Sequence, residues 1–247
     1  MKNNLLLLTV LSYLFSLSVS AQVVDSTDTQ AWNSLRVEGE FNPEAQTLFE
    51  TPLQYSMEFH YRLKNDVTNF SQLLLRPMLG YKLSETSKLW VGYTLIHQDR
   101  KGQLVNEHRS FQMITYSGKL GKSPIVFIGN TRIEQRSLEN EQETNFRIRQ
   151  MLRLSIDLFK IDQSTVALFF QDELLVRLNS TPWAGQKGFD HNRLNIGLDY
   201  KTKMNNVPVT ISTGYMQNNF NNLTVTGVNT GIKITIPNKK KKKPLIP

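Results

Sequence analysis

The sequence predicts an all-β chain folded as an antiparallel up-and-down β-barrel of the outer-membrane type. It should have about 12 strands, with 10 as the alternative, and a charged interior. Three observations predict this. The stretch from Ile125 to Leu158 reads as two long strands joined by an acidic loop. The same two-residue alternation of apolar and polar positions recurs along most of the chain. The N-terminus carries an export signal.

On the first strand of that pair Asn130, Arg132, Glu134 and Arg136 fall two apart. On the second, Arg147, Arg149, Arg153, Ser155 and Asp157 alternate with Phe146, Ile148, Leu152, Leu154, Ile156 and Leu158. Successive side chains of a strand point to opposite faces, so one face is apolar and the other bears guanidinium and carboxylate groups. A water-soluble sandwich would turn the apolar face inward. A membrane barrel turns it toward lipid and encloses the polar one, and the density of arginine opposite unbroken apolar rows fits the barrel.

Lys2, the apolar run Leu5 to Val19 and the small residues Val19-Ser20-Ala21 form a secretory signal peptide, with cleavage expected after Ala21. The run is about 15 residues against the roughly 20 that a spanning helix needs. The domains expected are therefore 1–21 signal peptide, 22–237 barrel and 238–247 basic tail.

Within the barrel, Leu35, Val37 and Phe41 oppose Arg36, Glu38 and Glu40, and Asn42-Pro43-Glu44 marks a turn. Leu53, Tyr55, Met57, Phe59 and Tyr61 alternate without a break with Gln54, Ser56, Glu58, His60 and Arg62. Leu73, Leu75, Leu79 and Tyr81 oppose Gln72, Arg76 and Lys82, with Pro77 suggesting a bulge. Leu89, Val91, Tyr93 and Leu95 oppose Trp90, Gly92, Thr94 and Ile96. After a connection from Asp99 to Val105, the strand Glu107 to Ser117 has faces that alternation does not assign.

Beyond the central pair, Val166, Leu168 and Phe170 precede Gln171, Glu173 and Arg177 on the alternate face. Asn179 to Gly188 is a long loop carrying Trp183. Leu194, Ile196, Leu198 and Tyr200 oppose Arg193, Asn195, Gly197 and Asp199. Lys201 to Asn206 turns into Val209, Ile211, Thr213 and Tyr215, and an Asn-rich loop, Asn218 to Asn222, precedes Val228, Ile232, Ile234 and Ile236. Eleven segments are readable. Because single-chain bacterial barrels normally have even strand numbers, 12 is expected. Connections should alternate short and long from Ser84 onward, and Trp32, Tyr61, Tyr81, Trp90, Tyr116, Tyr200 and Tyr215 near strand ends could form interfacial girdles.

The chain has no cysteine, which excludes disulfides, thiol chemistry and a lipid-anchored lipoprotein. Its net charge of +8 is inflated by the run Lys239 to Lys243, read as a solvated tail. Export leaves little access to nucleic acid, and no phosphate-cradling glycine loop is present.

A set of short motifs carries a resemblance. Trp32 opens the first strand, Tyr93 accompanies His97, and Glu107-His108-Arg109 accompanies Gln112. Arg132-x-Glu134-x-Arg136, Arg147-x-Arg149, Asp172-Glu173 and Arg193 with Asn195 and Gly197 follow in order. In these the chain resembles, from Asp28 to Pro237, an uncharacterised domain-of-unknown-function family common in Bacteroidetes, whose members are similar to outer-membrane β-barrels. The resemblance implies fold and location and no agreed activity. The chain departs from outer-membrane strands that close on a C-terminal aromatic, since it runs on through lysines to Pro247.

The interior charges expected to meet are Arg36, Glu38, Glu58, Arg62, Arg76, Arg132, Glu134, Arg136, Arg147, Arg149, Arg153, Glu173, Arg177, Arg193 and Asp199. They would form either a structural ion-pair network filling the interior or an arginine-lined conduit for small anions. His108 and Ser110, two apart on one strand face, are the catalytic candidates for an alternative reading as a lipid-modifying hydrolase. His60 and His191 lack ligand spacing, Glu139, Glu141 and Glu143 read as a solvated loop tip, and neither a metal nor a cofactor is expected. The function expected is structural or small-solute passage at the bacterial outer membrane, without catalysis. The partners expected are outer-membrane lipid, the barrel-assembly machinery and small anionic solutes, with nucleic acid excluded.

Overall fold

The computed structural model describes residues 28–41, 53–220 and 223–237. The expected signal peptide, the expected turn at Asn42-Pro43-Glu44 and the lysine run lie outside those residues. The described chain forms eleven strands: β1 (Thr29–Glu40), β2 (Leu53–Lys64), β3 (Asn69–Lys82), β4 (Ser87–Arg100), β5 (Gln103–Lys119) and β6 (Val126–Leu138), then β7 (Asn145–Ile161), β8 (Ser164–Arg177), β9 (Gly188–Met204), β10 (Val207–Phe220) and β11 (Leu223–Thr235). Among the described residues there is no helix.

Each strand pairs antiparallel with the next, and the sheet closes on itself by a parallel pairing of β1 with β11, Trp32 opposite Asn229 and Arg36 opposite Lys233. This corrects the expectation of 12 strands. The eleven segments read from the sequence are the eleven of the barrel, and the rule of even number does not apply. With an odd number of strands, and so an even number of reversals, the first and last strands run in one direction, so closure has to be parallel, and the ladder tolerates this.

One end of the barrel, the loop end, carries the start of β1 and the connections 65–68, 101–102, 139–144 and 178–187. The opposite turn end carries 83–86, 120–125, 162–163 and 205–206. The expected alternation of short and long connections fails at residues 101–102, a two-residue turn at the loop end, and at 120–125, a six-residue connection at the turn end. Lys101 and Gly102 take φ of 56° and 83°, so β4 and β5 stay paired out to Arg100 and Gln103. Asn205 and Asn206, at 51° and 65°, do the same for β9 and β10. Two successive left-handed residues make the tight turn whose twist matches that of the strands, and Gly and Asn accept it readily. Polar residues near these tips read as loop in the sequence although they are paired in the sheet.

Pro77 does not produce the expected bulge. Leu75 pairs with Leu95 and Met78 with Gly92, so the register is continuous across it. The strand meets β4 without ladder pairs at residues 76 and 77, and Pro77 still stands opposite Met57 of β2. Register shifts fall instead after Arg62, at Asp157–Phe159 and at Leu175–Val176.

The outer surface is apolar: Met57, Phe59, Leu79, Val91, Ile196 and Ile232 are exposed, Leu79 at 52%. The alternate positions turn inward, and on β3, β4 and β5 those nearest the turn end are apolar. Met78, Trp90, Phe111 and Met113 form a buried cluster there. Glycines make room for it. A Cβ on Gly92 would lie 2.4 Å from Phe111 Cζ, so the ring rests on bare backbone.

Candidate functional site

The inward-facing charges assemble by cross-strand neighbourhood. On β6, Arg132, Glu134 and Arg136 stand directly opposite Arg149, Arg147 and Asn145 of β7. Glu134 therefore accepts from Arg149 Nη1 at 2.8 Å and from Arg147 Nε and Nη2 at 3.0 and 2.6 Å, while Arg132 lies 3.5 Å away. Glu173 of β8 accepts from Arg149 Nε at 3.0 Å and from Arg193 Nη1 at 2.5 Å. On the other side, Glu58 is ion-paired with Arg36 and, at 2.6 Å, with Arg76, and it lies 3.1 Å from His60 Nε2. Arg153 bonds Asp199 at 2.6 and 2.7 Å, and Lys233 pairs with Glu38 at 2.7 Å. These side chains meet in several local pairs and chains.

The sequence reading missed part of the set. Glu107 accepts from Arg109 and Arg136, each at 2.7 Å, and Asp190 accepts from Arg147 and Arg177, each at 2.8 Å. Glu107 and Arg109 were illegible because β5 carries polar residues on both faces. Asp190 is brought inward by the register shift between Leu175 and Val176, which no sequence signal announces.

At the loop end these strands surround a cavity of about 340 Å³. Its lining includes eight arginines, Arg62, Arg76, Arg100, Arg109, Arg136, Arg147, Arg149 and Arg193, and only two carboxylates, Glu107 and Asp190. Trp32 is set between two guanidinium groups, with Arg62 3.7 Å and Arg193 4.5 Å from its ring centre. Arg62 donates to Gln72 Oε1 at 2.8 Å, and its Nε is buried without a hydrogen-bond partner. The long loop between β8 and β9 roofs this end. Trp183 is buried, donates from Nε1 to Glu143 O at 2.8 Å, and receives Arg100 Nη2 on its carbonyl at 2.7 Å. Arg177 ties the loop down through the carbonyls of Ala184, Gln186 and Phe189.

A band of buried side chains, Arg76 and Arg149 among them, also floors the cavity. Strands β2 to β10 each place one buried side chain there: Glu58, Arg76, Thr94, Phe111, Glu134, Arg149, Glu173, Asn195 and Met216, none more than 9% exposed. Asn229 of β11 bonds Asn195 and carries the band toward the closing pair of strands. Side chains this deeply buried form a continuous band across the interior.

Residues 29–229 match the family described as protein of unknown function (DUF2490). The chain belongs to the DUF2490 family. An uncharacterised protein of Methylorubrum extorquens is 35% identical over 147 residues, which is 59% of this chain and 63% of that relative. The match thus spans less than two thirds of the relative's own length. No solved structure matches. The family description assigns no activity, so the chemistry of this DUF2490 chain has to be read from its own residues.

The catalytic candidates lie outside the cavity, on the outer face of β5. His108 Nδ1 bonds Tyr93 OH on β4, and the Ser110 hydroxyl donates to Gln135 Oε1 on β6 at 3.1 Å. The two side chains reach to opposite neighbouring strands, and no hydrogen bond joins them among the described residues. Asn106, His108, Ser110 and Gln112 alternate with the inward Glu107, Arg109, Phe111 and Met113, which explains the failure of alternation here. His191 packs on Phe220 and beside Asp190 and Arg193. The aromatic girdle expectation divides: Tyr61, Tyr200 and Tyr215 are exposed outside, whereas Trp32 and Trp90 point inward because each has a cation or an apolar pocket to fill.

Proposed function

We propose that this chain is a bacterial outer-membrane β-barrel, exported through a cleaved signal peptide and inserted by the barrel-assembly machinery, with a structural role and no catalysis. One observation carries the reading: a closed barrel whose outer face is apolar on nearly every strand while its enclosed face holds ion pairs. Soluble monomers rarely expose apolar patches beyond a few hundred Å². A belt of leucine, isoleucine, phenylalanine and tyrosine suits contact with lipid, and closure leaves no unpaired sheet edge to face hydrocarbon. The small-anion side of the reading is supported by the arginine excess at the loop end. The buried band argues that anions are held there, not passed through. The separate hydrogen bonds of His108 and Ser110 weigh against hydrolysis.

The experiment is to refold the mature chain into detergent and compare gel migration with and without heating, followed by flotation with lipid vesicles. A heat-dependent shift and co-flotation are expected. A chain that stays soluble and monomeric without detergent overturns the reading.

A further inference from the structure

We propose that the loop-end cavity is a binding site for a small, multiply charged oxyanion of the phosphate or sulfate type, carried by a soluble solute. The inference deepens the anion side of the proposed function, and its site would exist whether or not the barrel sits in a membrane.

Arg76, Arg149 and Arg193 are neutralised by Glu58, Glu134 and Glu173, and none of these three carboxylates belongs to the cavity lining. Their acidic partners lie behind them, so the cavity wall presents guanidinium groups to the space. Arg62 goes further. No carboxylate contacts it among the described residues; it has Gln72, the face of Trp32 and an orphaned Nε. A cation in a crowded, poorly solvated position without a counter-ion is costly. Several such groups around one space are stabilised together by an anion that fills it.

The shape agrees with a ligand. About 340 Å³ lies in the range of small-molecule sites, and a solute with one or two oxyanion groups fits it. Guanidinium forks meet tetrahedral oxyanions through two parallel N–H donors, which a halide cannot exploit. Trp32 fixes the planes of Arg62 and Arg193 by stacking, so their donors are oriented before the ligand arrives. Beneath them the interior is filled with buried side chains, and Trp183, whose carbonyl accepts from Arg100, lines the loop end. The site is a blind receptacle.

Calorimetric titration of the refolded mature chain with inorganic phosphate and with inorganic sulfate, at constant ionic strength set by chloride, tests this. Saturable binding is expected for both anions, weakened about tenfold or more in Arg62→Gln, since losing one charge-assisted partner costs about that much. Arg100→Gln, altered only at the roof, should weaken binding severalfold and serves where Arg62→Gln loses the heat-dependent gel shift. No saturable binding by a heat-shifting wild type overturns the site while leaving the membrane reading intact. Equal binding in both variants overturns its placement in this cavity. Binding only to vesicles bearing phosphate headgroups overturns the soluble-solute form. Phosphate binding by a chain that shows no heat shift supports the site and counts against the membrane reading alone.

Discussion

Glu134 on β6 and Arg147 on β7 stand directly opposite each other in the ladder, with Arg147 Nη2 2.6 Å from Glu134 Oε2 and both side chains buried. The pair is the centre of a chain of charges, because Glu134 also takes Arg149, and Arg149 in turn reaches Glu173. Such a network has to be complete to be stable, since each buried ion has given up its water.

Replacing Glu134 with Gln removes one charge and leaves Arg132, Arg147 and Arg149 under-compensated. The expected loss is about 3–5 kcal/mol, the range for breaking a buried pair from one side. It would be read as a lower denaturant midpoint of the vesicle-embedded barrel at unchanged slope. Lys201→Ala is the control: its 2.7 Å pair with Asp157 is exposed, so it should cost less than about 1 kcal/mol. Equal effects of the two would show that burial does not govern the network.

Val67 sits at φ 66° in the connection between β2 and β3, a conformation that a β-branched side chain resists. Val67→Gly should raise stability by about 1 kcal/mol, the strain released being partly offset by glycine's greater freedom when unfolded. A midpoint that falls instead would mean the side chain contributes packing that outweighs the strain.

Gly197 is pinned by backbone. A Cβ there would lie 2.1 Å from Thr213 O and 2.9 Å from Phe169 Cζ, and a carbonyl in the adjacent strand cannot swing aside as a side chain can. Gly197→Ala should cost at least about 1–3 kcal/mol through forced strand separation. The readout is the fraction of chain showing the heat-dependent gel shift after refolding. A fully folded variant of wild-type stability would contradict the close approach.

In a planar bilayer the refolded wild type is expected to be silent, because the band from Glu58 to Met216 seals the interior against water. Arg149→Ala, which removes one member of that band, should admit at most small, irregular currents. Discrete anion-selective steps from the wild type would replace the receptacle with a conduit.

Ser110→Ala should leave ester hydrolysis by the reconstituted protein at its background, since the Ser110 hydroxyl is engaged by Gln135 and not by His108. A hydrolytic rate that depends on Ser110 would return catalysis to this outer face.

The sequence by itself determined which residues form strands and which way most of them face. Alternation of period two is local, and from β2 or β7 alone one can say that Phe59 and Ile148 share a surface from which Glu58 and Arg149 are excluded. It also supplied the eleven segments and most of the interior charges. Only the tertiary structure decided that eleven is the whole ring, because parallel closure of β1 on β11 joins residues about 200 positions apart and leaves no local mark. The same holds for β5, where polar residues on both faces cancel the pattern, and for Asp190, turned inward by a shift of register. The cavity itself was equally out of reach. It exists because Trp32, Arg62, Trp183 and Arg193, from three strands and a loop, converge at one end, and convergence is a property of closure, not of spacing along the chain.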